Sequence, residues 1–119
     1  MKENQCDNLK NLLVLLYPDK IIYEAKTGNK YSFIEHQSDK LFFKIPSQKS
    51  LKGFHRKSIS DKQFCKLLKK LIANKILTKN DFPFQDCRKS AFYGFINLII
   101  PKTFIKVHGC IKMIENEKK

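Results

Sequence analysis

IIYEAKTGNKYSFIEHQSDKLFFKI, residues 21–45, decides the class of fold. Ile21 to Ala25 is β-branched and aromatic, Thr27-Gly28-Asn29 supplies a turn in which glycine can take positive φ, and Tyr31 to His36 resumes an extended pattern. That succession predicts a β-hairpin. After the short turn Gln37-Ser38-Asp39, the run Lys40 to Ile45 alternates with period two. Leu41, Phe43 and Ile45 fall on one face and Lys40, Phe42 and Lys44 on the other, so a third strand is expected, half-buried and ended by Pro46.

Helices are expected on both sides of this β segment. Leu9, Leu12, Leu13 and Leu16 recur at helical spacing, with Asp7 as a candidate N-cap and Tyr17-Pro18-Asp19 as the stop. Further on, Ser60 can cap a helix, Gln63 occupies the capping-box position and Ile59 can staple against Phe64. Phe64, Leu67, Leu68, Leu71 and Ile72 then mark the buried stripe, leaving Lys62, Lys66, Lys69 and Lys70 to solvent. A third helix is predicted from about Asp86 to Ile99, stopped by Pro101; it is apolar on nearly every side, which suits a central position, and Gly94 would let a neighbour approach closely.

Between these elements, residues 47–58 read as a polar loop containing a short strand around Phe54 to Lys57, and residues 76–85 as a connector. The chain ends in one predicted strand, with Ile105, Val107, Ile111 and Met113 facing one way and Lys106, His108 and Lys112 the other, before a charged tail at 115–119. The expected fold is therefore a single α+β domain over residues 1–119: an antiparallel sheet of about four strands with three helices, in the order α-β-β-β-α-α-β.

The chain carries a formal net charge of +13, and its 24 basic residues are lysines apart from Arg56 and Arg88. Lysine is a point charge, whereas bidentate reading of bases and phosphates is mainly an arginine task. The charge therefore proposes a polyanion without naming one. Lysine, isoleucine and asparagine are also the residues that AT-rich codons most often encode, so base composition explains the excess equally well. Size and composition suit an accessory or mobile gene of a bacterium.

Charge distribution says more than the total. Between Asp39 and Asp61 there is no acidic residue, while Lys40, Lys44, Lys49, Lys52, His55, Arg56 and Lys57 are all present. With Phe42 between Lys40 and Lys44, these residues form the candidate nucleic-acid site, for DNA or RNA, in which bases would stack on the ring and cations hold phosphates. An equally simple account has Phe42 covered by a loop or a second subunit, and the lysines as an ordinary solvated face. A second acid-free stretch, Lys62 to Asn80, holds six lysines.

Catalytic and metal signatures are weak. Glu35, His36, His55, Arg56 and Lys57 include the residue types of a metal-independent nuclease, but Glu35 and His36 are adjacent in a strand and should point to opposite faces. His108 and Cys110 share a strand face, yet two ligands do not make a zinc site, and Asp81 and Asp86 suit caps better than metal binding. No metal or cofactor is expected. Cys6, Cys65, Cys87 and Cys110 lack CxxC spacing and are expected as free thiols. Leu12 to Tyr17 is too short to span a membrane and lacks the flanks of a signal peptide, which leads to the expectation of a cytoplasmic protein with no membrane partner. The sequence favours a basic binding protein contacting nucleic-acid phosphates. A homodimeric protein-interaction module, or a binder of an unidentified small molecule, using Phe42 and Phe54, is the alternative, and a nuclease comes third.

Overall fold

The computed structural model describes residues 6–47, 51–83, 86–101, 103–107 and 110–114. It is α+β, as expected, with three helices and a four-stranded antiparallel sheet, plus a second, smaller sheet. Helix α1 spans Asp7–Leu15. Strands β1 (Ile21–Glu24), β2 (Lys30–Gln37), β3 (Lys40–Pro46) and β4 (Phe54–Ser60) follow, and each pairs with its neighbour in the chain.

Local chemistry sets the turns. Gly28 takes φ +95°, a left-handed conformation that costs glycine nothing, and closes the β1–β2 turn with its amide donating to the Ala25 carbonyl at 2.9 Å. Between β2 and β3 only Ser38 and Asp39 lie outside the Gln37–Lys40 pair, and both have positive φ, at 54° and 60°. That is the primed two-residue turn whose twist matches an antiparallel pair.

Helix α2 (Asp61–Asn74) starts where expected, with the Ser60 hydroxyl accepting from the Gln63 amide at 3.1 Å. Phe64, Leu67, Leu68 and Leu71 are buried, Lys62, Lys66, Lys69 and Lys70 are exposed, and Ile72, expected on the buried stripe, lies at its exposed margin. Helix α3 (Asp86–Ile99) is central, with Ala91, Phe92, Phe95 and Ile96 fully buried. Its Gly94 faces the β1 backbone so closely that a Cβ there would stand 2.1 Å from the Ile22 carbonyl oxygen. The core joins these helices to the inner face of the large sheet through Ile22, Phe33, Leu41, Phe43 and Ile59, with Phe95 edge-on to both Phe33 and Phe43.

Further sequence expectations need correction. First, the last predicted strand is a hairpin, β6 (Phe104–Val107) paired with β7 (Cys110–Met113), and it does not join the large sheet. Because the chain reverses between Val107 and Cys110, one parity cannot run through both halves: Phe104 and Ile111 are buried while Ile105 and Val107 are exposed. Second, part of the connector forms β5 (Ile76–Leu77), whose Leu77 pairs with Ile111 and completes a three-stranded sheet in the order β5-β7-β6. Third, β4 is a full seven-residue strand, since its polar residues sit on an edge where water, not the core, receives them. Fourth, Cys6 and not Asp7 holds the α1 N-cap position, and it is joined to Cys65 of α2 by a disulfide, so only Cys87 and Cys110 are free. The two half-cystines lie 59 residues apart with their Cα atoms 6.0 Å apart, a proximity that tertiary packing creates and no spacing rule announces. Closing a loop of that length restricts the unfolded chain by on the order of 4 kcal/mol in the chain-entropy account.

Two substitutions test this packing. Leu68→Ala should cost about 2–5 kcal/mol by opening a cavity, whereas Lys69→Ala on the opposite side of the helix should leave thermal unfolding almost unchanged. Gly94→Ala should destabilise by about 1–3 kcal/mol, against the usual gain from alanine in a helix, because the added methyl meets the Ile22 backbone. Equal melting temperatures within either comparison would contradict the packing described.

Candidate functional site

Alternation along β3 and β4 sorts the predicted site residues. The pairs Lys40–Ser60, Phe42–Ser58, Lys44–Arg56 and Pro46–Phe54 point away from the core, while Phe43–Lys57 and Ile45–His55 point toward the helix side. Lys40, Phe42, Lys44 and Arg56 therefore share the outer face with Phe54, which was not among the predicted nucleic-acid residues. His55 and Lys57 lie on the other side of the strand, and Lys52 is exposed in the turn before β4. Lys49 falls outside the described residues.

On the outer face the cations lie over rings. The Arg56 guanidinium sits 4.1 Å from the centroid of Phe42, and the Lys44 ammonium 5.2 Å from that of Phe54. Carboxylates are also present: Arg56 Nη2 donates to Glu35 Oε2 at 2.6 Å and Lys44 Nζ lies 2.9 Å from Asp19 Oδ1. Phe42 is half-buried beneath its arginine.

Glu35 and His36 do point to opposite faces, Glu35 registering with Phe42 and His36 with Leu41. His36 Nε2 lies 2.9 Å from each carboxylate oxygen of Asp61, the first residue of α2, which is only 2% exposed. The Asp61 amide in turn donates to the Asp39 carbonyl at 2.9 Å. Glu35 and Arg56 thus meet on the outer face while His36, His55 and Lys57 lie on the other, and the five nuclease candidates do not form one constellation. Among the described residues no group of three or more His, Cys, Asp or Glu is placed to hold a metal ion, and His108 lies outside them. No described helix is long and apolar enough to cross a membrane.

Sequence reasoning missed a trough along α2. One cleft of about 340 Å³ is lined by Ser38, Asp39, Lys40, Ser60, Asp61 and Lys62. A second, of about 300 Å³, shares Lys40 and Ser60 with it and adds Ser58, Gln63, Pro83 and Arg88. A third, of about 340 Å³, shares Gln63 and Pro83 with the second and adds Lys66, Leu67, Lys70, Asn80 and Asp81. Arg88 is held by its Nε, which donates to the Ser58 carbonyl at 2.8 Å. Asp81 accepts from Lys70 Nζ at 2.5 Å and from the Thr78 amide at 2.8 Å, so the expectation that it caps a turn holds. The side chain of Asp86 lies outside the described residues. The acid-free stretch from Lys62 was a signal for the lysines of α2, but nothing local in the sequence joins them to Lys40 or Arg88.

The chain matches no protein-family model, no curated protein and no solved structure.

The Lys70 hydrogen bond, and next the Thr78 amide, hold the Asp81 carboxyl below its ordinary value of 3.8. A carboxylate lowered in the folded state contributes its full stabilisation above its unfolded pKa and loses it as pH falls through the folded value. Asp81→Asn should therefore abolish a small part of the stability lost on acidification below pH 3.8, and leave the pH dependence above pH 5 unchanged. Unfolding midpoints of the two proteins across that range check the expectation, and parallel curves throughout would contradict it.

Proposed function

We propose that this protein binds nucleic acid, holding phosphates with Lys40, Lys44 and Arg56 on the outer face of β3 and β4 and accommodating bases against Phe42 and Phe54, with modest sequence preference. The observation that carries this proposal is the joint placement of Lys40, Phe42, Lys44, Phe54 and Arg56 on one sheet face, with cations over both rings. Aromatic platforms flanked by cations suit splayed bases and their backbone. The carboxylates that oppose these cations are weak competitors: the Arg56–Glu35 and Lys44–Asp19 pairs are solvent-accessible, and such pairs contribute only about 0–1 kcal/mol. A phosphate can displace them at little cost.

A homodimer is the second reading. Val14, Leu15, Tyr17 and Ile21, near the junction of α1 and β1, are all exposed, Val14 by 83%, and a second copy would cover them. Phe42 and Phe54, the aromatics first considered for such a contact, lie on the outer face of β3 and β4.

A cytoplasmic setting suits a nucleic-acid partner, and there the Cys6–Cys65 bond would be reduced, since cytosolic disulfides are rare. Neither sulfur is on the outer face of the sheet.

Titration of labelled mixed-sequence DNA and RNA should show binding at about 50 mM salt that weakens steeply as salt rises, because each neutralised phosphate releases condensed counterion. At fixed salt, Lys40→Glu/Arg56→Glu should lose more affinity than Lys10→Glu/Lys26→Glu, which removes the same formal charge elsewhere. Equal losses would reduce the protein to a generic polycation, and absence of binding at low salt would eliminate the proposal.

A further inference from the structure

Lys62, Lys66 and Lys70 are exposed at positions i, i+4 and i+8 of α2, so they form a row with steps of about 6 Å along the helix. The row borders the trough. Lys40 enters the trough from β3 and Arg88 from α3, so five cations from three elements surround clefts that share lining residues from end to end.

Three carboxylates also line it. Asp61 is engaged by His36 and Asp81 by Lys70 and Thr78. Asp39 lines the first cleft together with Lys40 and Lys62. The balance favours anions, and the regular spacing favours a linear polyanion over an isolated one.

Lys40 belongs to both surfaces. It lines the trough, and it lies on the same strand face as Phe42 and Lys44. Ser58 and Ser60, which register with Phe42 and Lys40, also line the trough. The trough therefore continues the outer face of β3 and β4 around the start of α2.

We infer that the ligand is single-stranded nucleic acid, its backbone running along the Lys62–Lys66–Lys70 row and crossing Lys40 onto the sheet, where its bases stack on Phe42 and Phe54. This rests on the nucleic-acid reading above and specifies the strand's state and path. A duplex keeps its bases stacked inside and offers none to the two rings, whereas a single strand can place bases on aromatic surfaces while cations follow its backbone. Within the row, Lys70 is held by the Asp81 carboxylate, which competes with any phosphate, so freeing it should tighten binding.

The test uses the full chain with fluorescent oligo-dT, oligo-U and a duplex of equal length, each protein being checked for native circular dichroism. The unmodified protein should prefer the single strands by on the order of tenfold. Lys62→Glu/Lys66→Glu should weaken single-strand binding by on the order of tenfold beyond Lys10→Glu/Lys26→Glu, and should lower the slope of log affinity against log salt by about 0.7 for each phosphate no longer neutralised. Asp81→Asn, which releases Lys70, should tighten binding more than Asp7→Asn, which makes the same charge change on α1. A native circular dichroism spectrum for Asp81→Asn separates such a gain from non-specific binding by an unfolded basic chain. If both charge-reversal pairs lose equally while Lys40→Glu/Arg56→Glu stays selectively weak, the path along α2 is wrong and the sheet-face reading stands. Equal or tighter binding of the duplex overturns the single-strand assignment, and no binding of any oligonucleotide by the unmodified protein overturns both proposals.

Discussion

Asp61 ties the large sheet to the start of α2, where the sheet's outer face and the lysines of the helix come together. A carboxylate this deeply buried is costly unless its oxygens are satisfied. His36 Nε2 lies within hydrogen-bonding distance of both oxygens, and the Asp61 amide is tied to Asp39 in the β2–β3 turn. Residues from the turn, the end of β2 and the start of α2 are thereby locked together at one point, with Ser60 capping the helix immediately before it. Lys62 and Lys66 then leave α2 on the side where Lys40 leaves β3. A helix rotated by one residue would carry its lysine row away from the strand.

Aromatic packing supplies the bulk beneath this junction. Tyr31 stacks on Phe43, Phe95 meets Phe33 and Phe43 edge-on, and Phe92 meets Phe64 and Phe82 in the same way, so α3 touches both the sheet and α2 through rings. Gly94 is what lets α3 settle this low on β1. The basic surface thus rests on a core whose shape is set largely by phenylalanine.

Features encoded over a few neighbouring residues were legible in the sequence. The cap at Ser60, the stripe from Phe64 to Leu71, the alternation from Lys40 to Ile45 and the close approach at Gly94 each depend on spacing within one element, and each is found in the structure. Features that depend on meeting a distant segment were not. Leu77 becomes a strand only because Ile111 lies beside it, and Cys6 finds Cys65 only once α1 has packed on the other helices. The candidate site divides along the same line. Outer-face placement of Lys40, Phe42 and Lys44 follows from alternation, but the orientation of β4, which separates Arg56 from Lys57, had to come from its register with β3. Arg88 approaches Lys40 through a tertiary hydrogen bond to the Ser58 carbonyl, for which no short-range pattern exists.

The meander of β1 to β4 has a kinetic consequence. Each strand pairs with the one just before it, so the large sheet can zip together through short loop closures, which cost little entropy and form quickly. The smaller sheet obeys the opposite rule, because β5 must wait for β7 from the far side of α3. Leu77, just after α2, is paired with Ile111 only across this long separation. The β5–β7 pair therefore spans more of the chain than any strand pair of the large sheet, and its closure carries the larger entropic cost.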